Sequence, residues 1–284
     1  MNKLTIMFPG FKTKAFTMSF DDGHDSDIPL AELMLKYDLK GSFNLCAGEL
    51  YPDGAEVPVS PHGHRPMTEK EALEILNDPH FEIVSHGYLH EAVGHVPTSD
   101  ALYDMIMDRR RLEELFDCFV KGHVYPYGSY NKGAIECAKL CGFKFARTAK
   151  RDTSFLLPES DQWLEWHPTA HFLEDDFDEL LDRFITLNNS YYHGKIFYAW
   201  AHSFEFINRW DFVEEKFKKI AGREDTWYAT NGELYDYVEA YRSLEYTAAT
   251  TKVYNPTNID VCVRYDGGAV CVHGGETVEF CKNN

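Results

Sequence analysis

The chain has 284 residues, 44% of them hydrophobic, which is ample for a buried core of domain size without disulfide or metal staples. Its 28 Lys and Arg stand against 46 Asp and Glu; the net charge of −18 repels nucleic-acid phosphates and anionic lipid headgroups, so neither is expected as a partner. No run approaches the roughly 18 apolar residues of a membrane helix, so no spanning segment is expected.

In chain order, Leu4 to Phe8 is a short apolar stretch closed by Pro9 and Gly10, without the longer apolar core and cleavage site of a secretory leader. The seven cysteines are odd in number and form no C-x-x-C pair, which predicts reduced, mostly buried thiols. Together these features point to the cytoplasm, or to secretion if a leader has been removed. Ala15 to Phe20 predicts a strand, Asp27 to Tyr37 a helix and Gly41 to Cys46 a second strand. Leu50 to Pro66 is a loop rich in Pro, Gly and His, after which Thr68 and Glu71 make a capping box for a helix to Asn77. Phe81 to Ser85 is a third strand, Ser99 to Phe119 a long helix, Gly122 to Tyr125 a fourth strand, and Asn131 to Leu140 a helix ended by Gly142.

Phe143 to Thr148 predicts a fifth strand, Asp175 to Leu187 a helix, Ile196 to Ala201 a strand and Trp210 to Ile220 a helix. Thr226 to Thr230 and Gly232 to Leu244 complete the series as strand and helix. From Glu245 the character changes to short runs, Val261 to Tyr265 and Val270 to His273, around Asp266-Gly267-Gly268 and Gly274-Gly275 turns. The alternation predicts an α/β fold: a distorted (β/α) barrel of about seven strands over residues 1–244, with a small C-terminal β appendage over 245–284.

Polar residues cluster where these strands end. The first strand runs into Asp21-Asp22-Gly23, the third into His86-Gly87-Tyr88-Leu89-His90, the fourth into Pro126-Tyr127-Gly128, and the strand from Ile196 into His202. Each alone has a bland reading, as a surface turn or a structurally satisfied histidine. A barrel gathers its strand ends on one rim, where active sites lie, so the joint arrangement favours function. Two imidazoles four residues apart and one carboxylate make a three-ligand metal site with an open position. A second carboxylate beside it serves as a base and a histidine opposite as an acid, a set suited to hydrolysing an amide or ester.

The sequence resembles the polysaccharide deacetylase family, also called the NodB-homology domain or carbohydrate esterase family four. Ser19-Phe20-Asp21-Asp22-Gly23 is similar to its first motif, His86 to His90 to its second, Val124-Tyr125-Pro126-Tyr127 to its third and Trp200-Ala201-His202 to its fifth. The resemblance implies Asp21 as general base, His202 as general acid, and Asp22, His86 and His90 as ligands of a divalent metal: zinc first, with cobalt, nickel or manganese as alternatives. It implies the Tyr127 N–H, placed by Pro126, as an oxyanion donor, and an N-acetylated carbohydrate as substrate; oligomeric state stays open.

Three departures stand out. Gly87 replaces the usual Ser or Thr, Val124 replaces the Arg that orients the catalytic Asp, and no fourth-motif Asp is found between Asp152 and Trp166. Arg147 is either a replacement cation or a surface residue, and His171 is a candidate stand-in near the acid. The departures leave two alternatives open: an O-acetyl ester or cyclic amide substrate, or a carbohydrate-binding protein of weak activity. His62 and His64 are either a second metal pair or part of a mobile rim loop, His24 either touches substrate or caps the following helix, and Trp163 and Trp166 either stack on sugar or pack against the barrel.

Overall fold

A computed structural model describes residues 4–187, 194–265 and 268–280. The Asp266-Gly267 part of the expected turn and Cys281 lie outside the described residues. Fourteen strands and seven helices follow one another among the described residues. A short β1 (Thr5–Met7) precedes β2 (Lys14–Asp22), α1 (Asp27–Lys36), β3 (Gly41–Leu45), α2 (Glu69–Leu76), β4 (Phe81–Ser85) and α3 (Thr98–Phe116). Then come β5 (Gly122–Val124), α4 (Lys132–Leu140), β6 (Phe145–Arg147), β7 (Ala170–His171), α5 (Phe177–Thr186), β8 (Lys195–His202), α6 (Trp210–Ile220), β9 (Thr226–Tyr228) and α7 (Asn231–Arg242). The chain closes with β10 (Glu245–Tyr246), β11 (Lys252–Tyr254), β12 (Val261–Tyr265), β13 (Gly268–Val272) and β14 (Thr277–Glu279).

The principal sheet is parallel and curled, in the order β6-β5-β4-β3-β2-β8-β7, with β9 on the free first half of β2. Its two edges are joined through the segment leading to β7, where Trp166 bridges Arg147 and Ala170 pairs with Ala199. This is the distorted (β/α) barrel the alternation predicts. The two-residue β7 was missed, because so short an element carries no periodic signal.

Capping residues set several helix starts. Thr68 and Glu71 form the reciprocal box expected of them, Asn131 accepts from the Ala134 N–H, and Thr230 and Glu233 form a second box. The period of two along β2 sends Phe16, Met18 and Phe20 into the main apolar cluster. Thr17, Ser19 and Asp21 alternate with them and enter a buried polar column: Thr17 bonds Asn231 at 2.8 Å, Ser19 bonds Tyr198 at 3.1 Å, and Asn231 bonds Tyr198. Asp21 sits at the top of that column.

A second apolar cluster joins Ile6 and Phe8 to Leu234, Tyr237 and Val238 of α7 and to Val261 and Val263 of β12. There β12 pairs antiparallel with β1, Met7 opposite Cys262, and with β13 on its other edge. Trp163 and Trp166 are buried in this cluster, edge to face at 5.1 Å, so they are core and not a sugar-stacking wall. No helix among the described residues is long and apolar enough to cross a membrane.

Candidate active site

Strand register brings the chemistry to one rim. Asp21 lies opposite Asn44 on β3 and His202 on β8; Leu45 lies opposite Ser85, immediately before His86; Val124 lies opposite Arg147, and His171 opposite Trp200. Asp22 (φ 85°), His90 (φ 52°) and Tyr127 (φ 58°) adopt left-handed backbone, a strained conformation for side-chain-bearing residues that persists only where surrounding contacts enforce it.

Asp22 Oδ1 is 3.3 Å from His86 Nε2 and 3.4 Å from His90 Nε2, and the two ring nitrogens are 3.3 Å apart. Donor atoms held about 2.0–2.1 Å from a tetrahedral ion lie roughly 3.3–3.4 Å from one another, so this nearly equilateral triangle fits such an ion. Asp22 Oδ1 is buried with no hydrogen-bond partner among the described residues, as fits a ligand atom of a cation. His86 Nδ1 donates to the Val124 carbonyl at 2.8 Å, which leaves Nε2 as the free donor facing the triangle. Val124 therefore supplies its contact through the backbone, whatever its side chain.

The electrostatics agree with this arrangement. Burial works against the Asp22 charge, yet the neighbouring His86, His202 and His90 hold its carboxyl well below the usual range. Burial and the His86 charge bring His90 down to about 4, favouring the neutral ring a metal needs. Burial would lower His86 too, but Asp21 and Asp22 outweigh it and push it up, a negative field that a cation would satisfy in place of the proton.

Beside the triangle, buried Asp21 accepts from Asn44 Nδ2 at 2.7 Å and from Arg147 Nη2 at 2.5 Å. Arg147 is 2% exposed and lies over the Trp200 ring at 4.3 Å, so it is no surface residue but a buried cation paired with Asp21. Across the site, His202 Nε2 is 4.0 Å from Asp21 Oδ2 and from Asp22 Oδ2. Its Nδ1 faces Glu205 Oε2 at 3.3 Å, and the same oxygen accepts the His202 backbone N–H at 3.0 Å and lies 2.9 Å from His171 Nε2. Burial disfavours the His202 charge, but Glu205, Asp21 and Asp22 push it up to about 9.

Glu205 is the carboxylate that sequence reading did not find. It follows His202 by three residues in a single turn, Ser203–Phe206, so the H-x-x-E spacing was the available signal. Two buried carboxylates on α3 were also missed. Asp108 accepts the N–H groups of Ala47 (2.7 Å), His86 (3.0 Å) and Gly87 (3.1 Å), and Asp104 accepts that of Leu89 at 2.7 Å. Gly87 has φ 84°, and a Cβ there would fall 2.4 Å from Asp104 Oδ2, which accounts for the absence of Ser or Thr. Removing Asp108 leaves the Ala47 and Gly87 amides without an acceptor, whereas the His86 N–H keeps the Leu45 carbonyl at 2.9 Å: Asp108→Ala is expected to lower stability by on the order of 2–3 kcal/mol, read by denaturant unfolding.

The remaining predicted residues are placed as follows. Tyr127 is exposed, with its hydroxyl 3.1 Å from His90 Nδ1, and Pro126 is buried at the start of the turn that presents it. His64 stacks on Phe204 at 4.6 Å and meets the His24 ring at 4.7 Å, whereas His62 is exposed. Of the cysteines, Cys46, Cys137 and Cys141 are buried, each thiol directed at a backbone carbonyl.

A family model described as polysaccharide deacetylase matches residues 10–146. No curated protein matches the chain. Among solved structures, a Mycobacterium smegmatis protein described as a polysaccharide deacetylase has 15% identity and a TM-score of 0.59 over 85% of this chain and 96% of its own. The deacetylase PplD of Streptococcus pyogenes, in complex with acetate, has 17% identity and a TM-score of 0.49 over 60% of this chain and 69% of its own. BA3943 of Bacillus anthracis, a CE4 family pseudoenzyme, has 17% identity and a TM-score of 0.47 over 82% of this chain and 68% of its own. At such identities the structural likenesses speak for the fold alone. The matched segment runs from Gly10 through Asp21, Asp22, His86 and His90 to Ala146, so over this part of its length the chain is similar to the polysaccharide deacetylase family, in the manner of a divergent member.

Proposed function

We propose that this protein hydrolyses N-acetyl groups of an amino sugar or polysaccharide, with Asp22, His86 and His90 holding a divalent metal. The observation that carries the reading is the donor triangle of about tetrahedral spacing, with Asp21 and His202 beside it. That spacing favours zinc, with cobalt, nickel or manganese as replacements that the same donors accept. When bound, the ion polarises an acyl oxygen and acidifies water.

The chain's own residues do the rest. Asp21, oriented by Asn44 and Arg147, takes the proton of the attacking water. The Tyr127 N–H, presented by the Pro126 turn, stabilises charge on the acyl oxygen. His202, kept protonated by Glu205 and steadied through that carboxylate by His171, delivers a proton to the departing amine. The contacts of Arg147 with Asp21 and of Glu205 with His202 supply an orienting cation and a carboxylate of the kinds whose loss pointed toward an ester, a cyclic amide or a mere binder, which supports the amide reading.

The test is acetate release from N-acetylated oligosaccharides, run beside O-acetylated ones. Chelation should stop it and added zinc restore it. Ester turnover faster than amide turnover would reject the amide reading, and no acetate from a metal-loaded protein across the panel would reject catalysis.

The pH dependence carries a further expectation. A general acid works in its protonated form, so kcat/KM falls as pH rises through the His202 value, near 9 without a metal. A cation on Asp22 offsets part of that push and brings the limb lower. Glu205→Gln removes a charged acceptor and should move the alkaline limb down by roughly one pH unit or more. A pH–rate profile of the variant superimposing on that of the wild type would remove Glu205 from this role.

A further inference from the structure

Among the six described cysteines, two meet thiol to thiol: Cys262 on β12 and Cys271 on β13, with Sγ atoms 3.0 Å apart. They are direct register partners in the antiparallel pair. The Cys262 N–H donates to Tyr237 Oη at 2.9 Å, and that hydroxyl donates to the Met7 carbonyl, on the β1 side of β12. A strand residue points its N–H and C=O to the same side, so toward β13 Cys262 stands in a non-hydrogen-bonded pair. The Cα atoms of such pairs are about 4.5 Å apart, inside the range that a disulfide spans.

The geometry points to Cys262 and Cys271 as a site of reversible oxidation, closing to a cross-strand disulfide when the protein meets a disulfide oxidant such as oxidised glutathione. Cys271, the half-buried member, is the point of entry. Its thiolate attacks glutathione disulfide and releases one glutathione thiolate; Cys262 then attacks the mixed disulfide and releases the second. Two protein sulfurs are oxidised, one glutathione disulfide is reduced, and both thiol protons end on glutathione. Burial and the adjacent Cys262 thiol push the Cys271 thiol up, so exchange is slow at neutral pH and quickens in alkali. Once closed, the bridge ties β13 to β12, which β1 joins to the apolar cluster beneath α7.

The full chain is treated with oxidised glutathione at mildly alkaline pH and then analysed by intact mass, thiol titration after denaturation, and tryptic mapping. The expected result is loss of two hydrogens and two of the seven thiols, a rise in Tm of about 5 °C, and the peptide ending at Arg264 joined to the peptide Tyr265–Lys282, with fragmentation placing the bond on Cys271 and not on Cys281 of the same peptide. Cys271→Ser should lose both the link and the rise. Seven thiols still free, a stable glutathione adduct, or a link between other cysteines would overturn the proposal. The peptide map of the unmodified sequence decides even if the variant folds poorly.

Discussion

Asp21→Asn is expected to lower kcat for deacetylation by about 10²–10⁴-fold, the usual contribution of a general base, while zinc binding stays close to that of the wild type. Asn keeps the volume of Asp but cannot take a proton. Asp21 Oδ2 lies 3.9 Å from His86 Nε2 and 4.0 Å from His202 Nε2, so the carboxylate adjoins the metal triangle without belonging to it. Steady-state kinetics on zinc-loaded protein, with metal content measured in the same sample, separates the two effects. Wild-type kcat in the variant would remove Asp21 as the base.

Arg147→Ala should be more destabilising than Asp108→Ala. It breaks an ion pair whose two partners are each 2% exposed, and truncating one member of such a pair typically costs about 3–5 kcal/mol because the other charge is left buried alone. The cation–π contact with Trp200 is lost with it. Arg147→Lys keeps the charge but not the planar fork, and should recover stability in part while leaving Asp21 poorly aimed and kcat low. Urea unfolding and kinetics on both variants check this; an Arg147→Ala protein as stable as the wild type would show that the buried pair does not hold Asp21.

Most of the fold could be read in the sequence because βα units write it in local terms: an apolar run for a strand buried on both faces, then an amphipathic stretch. Phe81–Ser85 and Trp210–Ile220 match their predicted bounds, and β8 gains one residue at each end beyond Ile196 to Ala201. The residues with donor chemistry were legible for a similar reason, since Asp21, Asp22 and His202 stand at the carboxyl ends of strands and the segment from His86 to His90 follows directly on one. The residues that orient them were not. Asn44 reaches Asp21 only through the register of β2 and β3, and Arg147 only because β6 lies across the barrel mouth. Asp104 and Asp108, one turn apart on α3, look like any charged helix face until packing buries them against the loop they hold.

The central claim is that Asp22, His86 and His90 jointly grip one divalent ion. Zinc stoichiometry and affinity, measured by chelator competition and elemental analysis on the wild type and on His86→Ala and His90→Ala, test it most directly. The account predicts one tightly held ion per chain in the wild type and its loss in each variant, with circular dichroism showing the fold retained. Equal zinc content and affinity in all three proteins would contradict it.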